Sequence, residues 1–419
     1  MKLNNGINVD YFFTKKFKNN TIVIDFITNI KIENFAKRAI LADLMDDSNK
    51  KYPQKSILAK KLSQMYGANF AVTVLKVSNQ HILRVIINFV NENYISEKKS
   101  LFLEVISFLK SVIFNPLADG KKFDKKNFEL QRDNMIDYLV SLKDNPRFYS
   151  SSQLKKLYFK DNPENSALII GNEIDYQNLN NLEVYQYYEN MINQDDIEIK
   201  LLGDFENVDF INEFNQMFNY KKNHDKSKSN IISTSKHELI KQTENYQGNG
   251  SILGLAYYLP FQNSINNYFI SLVLNGLLTS NNHSLLFDEI REKNSLAYYV
   301  NSNYNIFDEM FTIQTGINAK DKDQVIDLIN EQIDRIIKLD YSDELLKNTK
   351  LTLVDDLLTK FDSQKGIVSE MTISNYFNLI LEPSQGIEVI NKISKDNISN
   401  FLKTIKIQAI HLLVGESND

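Results

Sequence analysis

The chain has 419 residues, with 48 Lys and Arg against 53 Asp and Glu and a net charge of -5 at pH 7. That balance does not point to nucleic acid or to an anionic membrane as a partner, and the length points to two domains of about 200 residues each. Cysteine is absent, which excludes disulfides, thiol nucleophiles and thiolate metal sites and fits a reducing cytoplasm.

The opening segment "MKLNNGINVDYFFTKKFKNN" lacks the uninterrupted apolar stretch of a signal peptide. No run approaches the roughly eighteen apolar residues of a membrane helix. A soluble, unexported, cytoplasmic chain is the expectation. "INVDYFF" and "NTIVIDFIT" alternate as half-buried strands do. "ENFAKRAILADLMDD" places Phe35, Ala39, Ile40, Leu41 and Leu44 at helical spacing. "KSILAKKLSQMYG" predicts a second helix stopped at Gly67, followed by strands "ANFAVTVLKV" and "HILRVIINFV" and a helix ending near Phe114. A long polar helix follows from about Asp124 to Lys143, ending before Pro146. A helix near "LEVYQYYENMIN" and the strand "IEIKLLGDF" close this half.

The second half repeats the order. "SILGLAYYLPF" is a strand, "NNYFISLVLNGLL" and "SLLFDEIREK" are helices, and "LAYYVNSNY" and "MFTIQTGI" are strands. "QVIDLINEQIDRIIK" matches the helix ending at Phe114, and "SDELLKNTKLTLVDDLLTKF" matches the long polar helix. "VYQYYENMINQDDIEIKLLGDF" and "ISNFLKTIKIQAIHLLVGES" end the two copies, with Gly203 and Gly415 in the same place. A repeat of this length is a duplicated domain, not a solenoid. The fold class expected is α+β: two tandem homologous domains, each a largely antiparallel sheet with helices packed on one face. The expected bounds are 1–218 and 243–419, joined by the Lys/Ser/Asn-rich linker 219–242.

The chemistry available is narrow. No two of the five histidines (His81, His224, His237, His283, His411) are three to five residues apart, so the one-turn pairing common in zinc sites is missing. His224 and His237 are expected to be solvated in the linker, His81 and His411 to be satisfied sheet residues, and His283 to start a helix. No G-x-S-x-G, G-x-x-x-x-G-K-[ST] or G-x-G-x-x-G sequence occurs, so no cofactor is expected. One stretch, "HSLLFDEIREKNSLAYYVNSNY", remains. Arg291 ends its helix, and Tyr298 lies in the following strand on the expected face of Leu296, Val300, Ser302 and Tyr304. Residue chemistry leaves two readings: an ordinary helix-to-strand corner, or an Arg and a Tyr hydroxyl converging on a ligand's polar backbone. The alternation puts Tyr298 beside the apolar Leu296 and Val300 and leaves open whether its hydroxyl faces the core or solvent.

"LLFDEIREKNSLAYYV" resembles the second-domain motif of the insulinase/pitrilysin-like zinc metallopeptidases, the inverzincins, and in particular their bacterial processing-peptidase-like branch. The tandem duplication matches that family over essentially the whole chain. "FAKRAILADLM", followed by "KKYPQKSILAKKLSQMYGA", is similar to a small zinc-less subgroup of that branch. In the family, the first domain carries H-x-x-E-H, two His ligands flanking a Glu that activates water. The window falls here on Ile40-Leu41-Ala42-Asp43-Leu44, and the place of the third ligand falls on Tyr138. The resemblance therefore implies a degenerate zinc site at Ile40, Asp43, Leu44 and Tyr138 that binds no metal and supplies no catalytic residue. It also implies a heterodimer with a zinc-bearing homologous chain, in which Arg291 and Tyr298 contact a peptide substrate and this chain closes the chamber. A scaffold or peptide-binding protein that uses the same chamber without proteolysis is the alternative.

Overall fold

The computed structural model describes residues 1–96, 100–206, 208–220, 237–280, 283–377 and 382–416. The first half contains β1 (Asn8–Phe13), β2 (Asn19–Asn29), α1 (Phe35–Asp47), α2 (Lys55–Gln64), β3 (Asn69–Val77), β4 (Gln80–Val90) and α3 (Leu101–Phe114). It continues with a short hairpin, β5 (Ala118–Asp119) and β6 (Lys122–Phe123), then α4 (Lys125–Lys143), α5 (Pro146–Tyr158), α6 (Pro163–Ser166), α7 (Glu173–Gln177), α8 (Asn181–Gln194), β7 (Asp196–Gly203) and α9 (Phe210–Met217). The second half contains β8 (Ile240–Gln247), β9 (Ser251–Tyr258), α10 (Ile265–Thr279), a π-helix (Phe287–Lys293), β10 (Ala297–Asn305) and β11 (Met310–Ile317). It closes with α11 (Lys322–Ile337), α12 (Asp343–Phe361), α13 (Gln364–Phe377), α14 (Pro383–Lys392), α15 (Lys395–Leu402) and β12 (Lys406–Glu416).

Among the described residues two five-stranded sheets form, in the orders β1-β7-β2-β4-β3 and β8-β12-β9-β11-β10. The two orders are the same strand for strand. In each, the first strand runs parallel to the last and the other neighbours are antiparallel. The repeat read from the sequence is therefore a duplicated α+β domain. No described helix is long and apolar enough to cross a membrane.

The compact units do not follow the expected bounds. Among the described residues one unit takes 1–140 and 167–220, and the other takes 141–166 and 237–416. The segment 141–166 belongs to the second unit because of α5. Leu154, Tyr158 and Phe159 form one buried cluster with Ala256, Tyr258, Met310 and Ala409 of the second sheet. Gly254 permits the approach, since a Cβ there would lie 3.1 Å from Leu154. Ser150 Oγ lies 3.1 Å from His411 Nδ1, and the Tyr149 hydroxyl donates to Glu244 (2.9 Å). Most of the expected linker, 221–236 with His224, lies outside the described residues, and Ile240–Gln242 are already strand. His237 is tied down as well, with Nε2 3.0 Å from the Tyr158 carbonyl oxygen.

In the first unit α1 buries Phe35, Ala39, Ile40, Leu41 and Leu44. Arg38, on the same helix, is fully buried and donates to the Phe26 carbonyl (2.9 Å), the Tyr187 hydroxyl (2.8 Å) and Asp195. Asp25, central in β2, accepts from Arg84 (2.7 and 2.8 Å) and Lys200 (2.7 Å), and this pairing permits charge inside the sheet. Gly203 adopts φ +131°, and a Cβ there would sit 2.2 Å from Asn20 Oδ1. At Gly415 a Cβ would sit 2.1 Å from the Gly250 carbonyl oxygen. The two repeat glycines thus mark the same need for close approach at each sheet's last strand. His81 corrects an expectation. It is fully buried, T-shaped against Phe35 (5.2 Å), and neither ring nitrogen has a hydrogen-bond partner among the described residues.

Candidate functional site

The place where the resemblance puts zinc lies on α1. Ile40 and Leu41 are fully buried and Leu44 is nearly so; their aliphatic side chains pack into the core and offer no donor atom. Only Asp43 among these positions carries a potential ligand. Burial, and then the nearby Asp46, push its carboxyl up to about 7, against the opposing pull of Lys55. Tyr138 lies on α4 with half its surface exposed. Among the described residues no group of three or more His, Asp or Glu side chains is placed to hold a metal. The zinc that the resembled peptidases hold at these positions does not fit this side-chain set.

The other candidate centre is the corner from Phe287 to Tyr299. Its helix is not the α-helix the periodicity predicts but a seven-residue π-helix, "FDEIREK". Such turns are rare, and functional sites hold a large share of them. The wider turn leaves carbonyls to satisfy. Asn294 donates from its side chain to the Glu289 carbonyl (2.8 Å), and the Leu296 N–H reaches back to the Ile290 carbonyl (2.9 Å). Ser295 makes the turn in the left-handed region at φ +53°. Lys293 pairs with Asp288 and Glu289 (both 3.0 Å). Arg291 has a weaker partner in Glu292 (3.8 Å) and stacks over the Phe287 ring at 4.7 Å, with 47% of its side chain exposed. The i, i+4 position of Phe287 was readable in the sequence, but its role as a platform for the guanidinium was not.

Tyr298 does not share the buried face of Val300, where the alternation placed it. In β10 Ala297 faces Ile317 and Tyr299 faces Gly316, so two steps on one strand match one step on the other. This is a β-bulge at Tyr298, and it breaks the period of two on which the face assignment rested. Val300 stays buried, while Tyr298 is 70% exposed. Tyr299 turns to the other face and packs over Gly316, where a Cβ would lie 2.6 Å from its ring; Arg147 of α5 stacks on it at 3.9 Å. Burial pushes the Tyr299 hydroxyl up to about 12, with Arg147 opposing. One tyrosine of the pair anchors the strand and the other is presented to solvent. Among the described residues no hydrogen bond, ion pair or ring contact joins Arg291 to Tyr298. Both are accessible polar groups on one helix-to-strand connection.

Comparison with known proteins gives this geometry a context. Residues 178–353 match the family model described as Peptidase M16 inactive domain. The chain is 22% identical over 414 residues to "Probable inactive metalloprotease YmfF" of Bacillus subtilis (strain 168), covering 98% of this chain and 96% of that protein. Among solved structures it resembles a conserved protein from Enterococcus faecalis V583 at 27% identity and a TM-score of 0.91, over 98% of this chain and 97% of that one. A peptidase M16 inactive domain from Pseudomonas fluorescens shares the fold at 12% identity and a TM-score of 0.81, over 99% and 98% of the two chains.

Proposed function

Taking as premise that the chain is an insulinase-like M16 homologue of the inactive type, we propose that it is the non-catalytic subunit of a heterodimeric metallopeptidase, closing the chamber of a zinc-bearing homologous chain. Arg291 and Tyr298 would hold a peptide backbone for that chain from a cytoplasmic complex. The observation that carries this reading is the contrast between the two centres. Aliphatic packing fills the zinc positions Ile40 and Leu44, while the bulge at Tyr298 and the π-helix at Arg291 present a phenol and a guanidinium to solvent. A guanidinium and a phenol suit a peptide carbonyl and the charge that develops on it during hydrolysis. The partner supplies the metal and the activated water; this chain supplies donors and orientation.

Co-expression with a homologue of similar size that carries H-x-x-E-H tests the reading. A stable complex whose chelator-sensitive peptide cleavage falls roughly 100- to 1,000-fold with Arg291→Ala or Tyr298→Phe, at unchanged assembly, is the expected result. Chelator-sensitive cleavage by this chain alone would sink it, and so would unchanged turnover in both variants. Recovery of peptides or unrelated proteins, without a zinc-bearing chain, would assign the corner to a non-proteolytic peptide-binding scaffold.

A further inference from the structure

We propose that one of the two edge strands of each sheet is shut against strand addition by one side chain from the end of a neighbouring helix, Asp46 at β3 and Thr279 at β10. This stands independently of the peptidase reading. Among the described residues β3 and β10 each have a strand on one side only, and such an edge presents a row of outward N–H and C=O groups on which another chain can pair. In an antiparallel pair, both backbone groups of a residue point either to the partner strand or away from it. Val72, opposite Val85 of β4, donates its N–H to Asp46 Oδ1 (3.0 Å), so this group points outward and is taken. Ser302, opposite Ile313 of β11, donates its N–H to Thr279 Oγ1 (3.2 Å). The clasp at β10 is extended: Thr279 Oγ1 lies 2.7 Å from Ser302 Oγ, which donates to Asn275 Oδ1 (2.6 Å).

The two devices occupy matching places. α1 and α10 each follow the second strand of their repeat, and β3 and β10 are each the third strand. Asp46 is the last residue but one of α1, and Thr279 is the last of α10. One copy uses a carboxylate and the other a hydroxyl, so the shared element is an acceptor placed at the helix end. A strand arriving from another chain would have to displace that acceptor and leave its own carbonyl without a donor at the blocked position.

Hydrogen exchange of single amides in the full chain tests this directly. Val72 and Ser302 amides are expected to be protected although they face away from their sheets. Asp46→Ala and Thr279→Val should each speed the matching amide by at least about tenfold, while Asp46→Asn and Thr279→Ser, which keep an acceptor, should restore protection. Sedimentation velocity over a concentration series reads the consequence, with the double variant Asp46→Ala, Thr279→Val self-associating at lower concentration than the unsubstituted chain. Fast exchange at Val72 and Ser302 in the unsubstituted chain overturns the proposal. So does protection that survives loss of the acceptor, or faster exchange with no gain in association.

Discussion

His81 should make the first unit sensitive to mild acid. Its ring is fully buried against Phe35, and neither nitrogen has a partner among the described residues. Burial, and then the charge of Arg38, hold its pKa down to about 2. In the unfolded chain the imidazole titrates near 6.5. The folded value is depressed, so the folded state binds fewer protons between about 6.5 and 2, and stability falls as pH drops through that window. At about 1.36 kcal/mol per pH unit, moving from pH 7 to pH 5 costs about 2 kcal/mol from this residue alone. His81→Phe keeps a ring on Phe35 and removes the titration; His81→Leu serves as a second variant if the larger ring strains the site. At pH 7 neither nitrogen is left unsatisfied in the variant, which offsets the lost packing. The assay is urea unfolding followed by far-UV circular dichroism at pH 5, 6 and 7, read as the difference between variant and unsubstituted chain. That difference cancels His411, whose pKa is also lowered by burial with Glu244 opposing. A difference that grows by about 2 kcal/mol toward pH 5 is the expected result. Parallel pH profiles would refute the reasoning, because they would mean that His81 binds its proton equally well in the folded and unfolded chain.

Asp25→Ala leaves Lys200 and Arg84 facing each other inside the sheet and should destabilise by about 3–5 kcal/mol, measured by thermal unfolding. Burial raises the Asp25 carboxyl, but Lys200 and then Arg84 outweigh that and hold it at about 2 against an ordinary 3.8. Its contribution, about 2 kcal/mol by linkage, is therefore full above pH 3.8 and lost as pH falls through 2. Gly203→Ala forces a Cβ to within 2.2 Å of Asn20 Oδ1 at a left-handed backbone, so a loss of about 2 kcal/mol or more is expected in the same melt. Arg291→Ala and Tyr298→Phe, both on exposed side chains, should change stability by less than about 0.5 kcal/mol; a larger loss would make the corner a structural element.

The architecture was legible where side chains carry it. Period-two and period-3.6 patterns located the central strands and main helices of both copies, and their matching order revealed the duplication. β8 was not legible, because "IKQTENYQ" has almost no apolar alternation. It is an edge strand held by backbone pairing with β12, from Ala409 opposite Ile240 to Glu416 opposite Gln247, and a polar edge strand reads as linker. α5 was missed for a different reason. The residues it packs on, Ala256, Met310 and Ala409, are remote in sequence, so nothing local to "PRFYSSSQLKKLY" says which unit it joins. Arg291 and Tyr298 could be named from the sequence through the resemblance, but their geometry could not. A π-turn and a bulge are each one-residue departures from a period, and neither leaves a mark in the residue types on either side.

Those two departures bear on what the corner is. A helix-to-strand connection needs neither, since an α-helix ending at a glycine and a regular strand make the same change of direction with every backbone group in a standard ladder. Here the chain forgoes regular helix bonding from Phe287 to Lys293, places Ser295 in the left-handed region without being glycine, and leaves one residue of β10 out of register. Each of these costs free energy that the surrounding structure has to offset. The cost is met by side-chain repairs such as Asn294 on the Glu289 carbonyl and by burial of Ile290 and Val300 on either side. What the irregular geometry secures, and a regular one would not, is Tyr298 facing solvent while Val300, two residues on, stays in the core. Removing the bulge by deleting Tyr298 would restore the period and the ladder while abolishing the exposed phenol. The decisive result is thus a variant that is at least as stable as the unsubstituted chain and has lost the peptide contact; a variant that unfolds would instead assign the bulge to the fold itself.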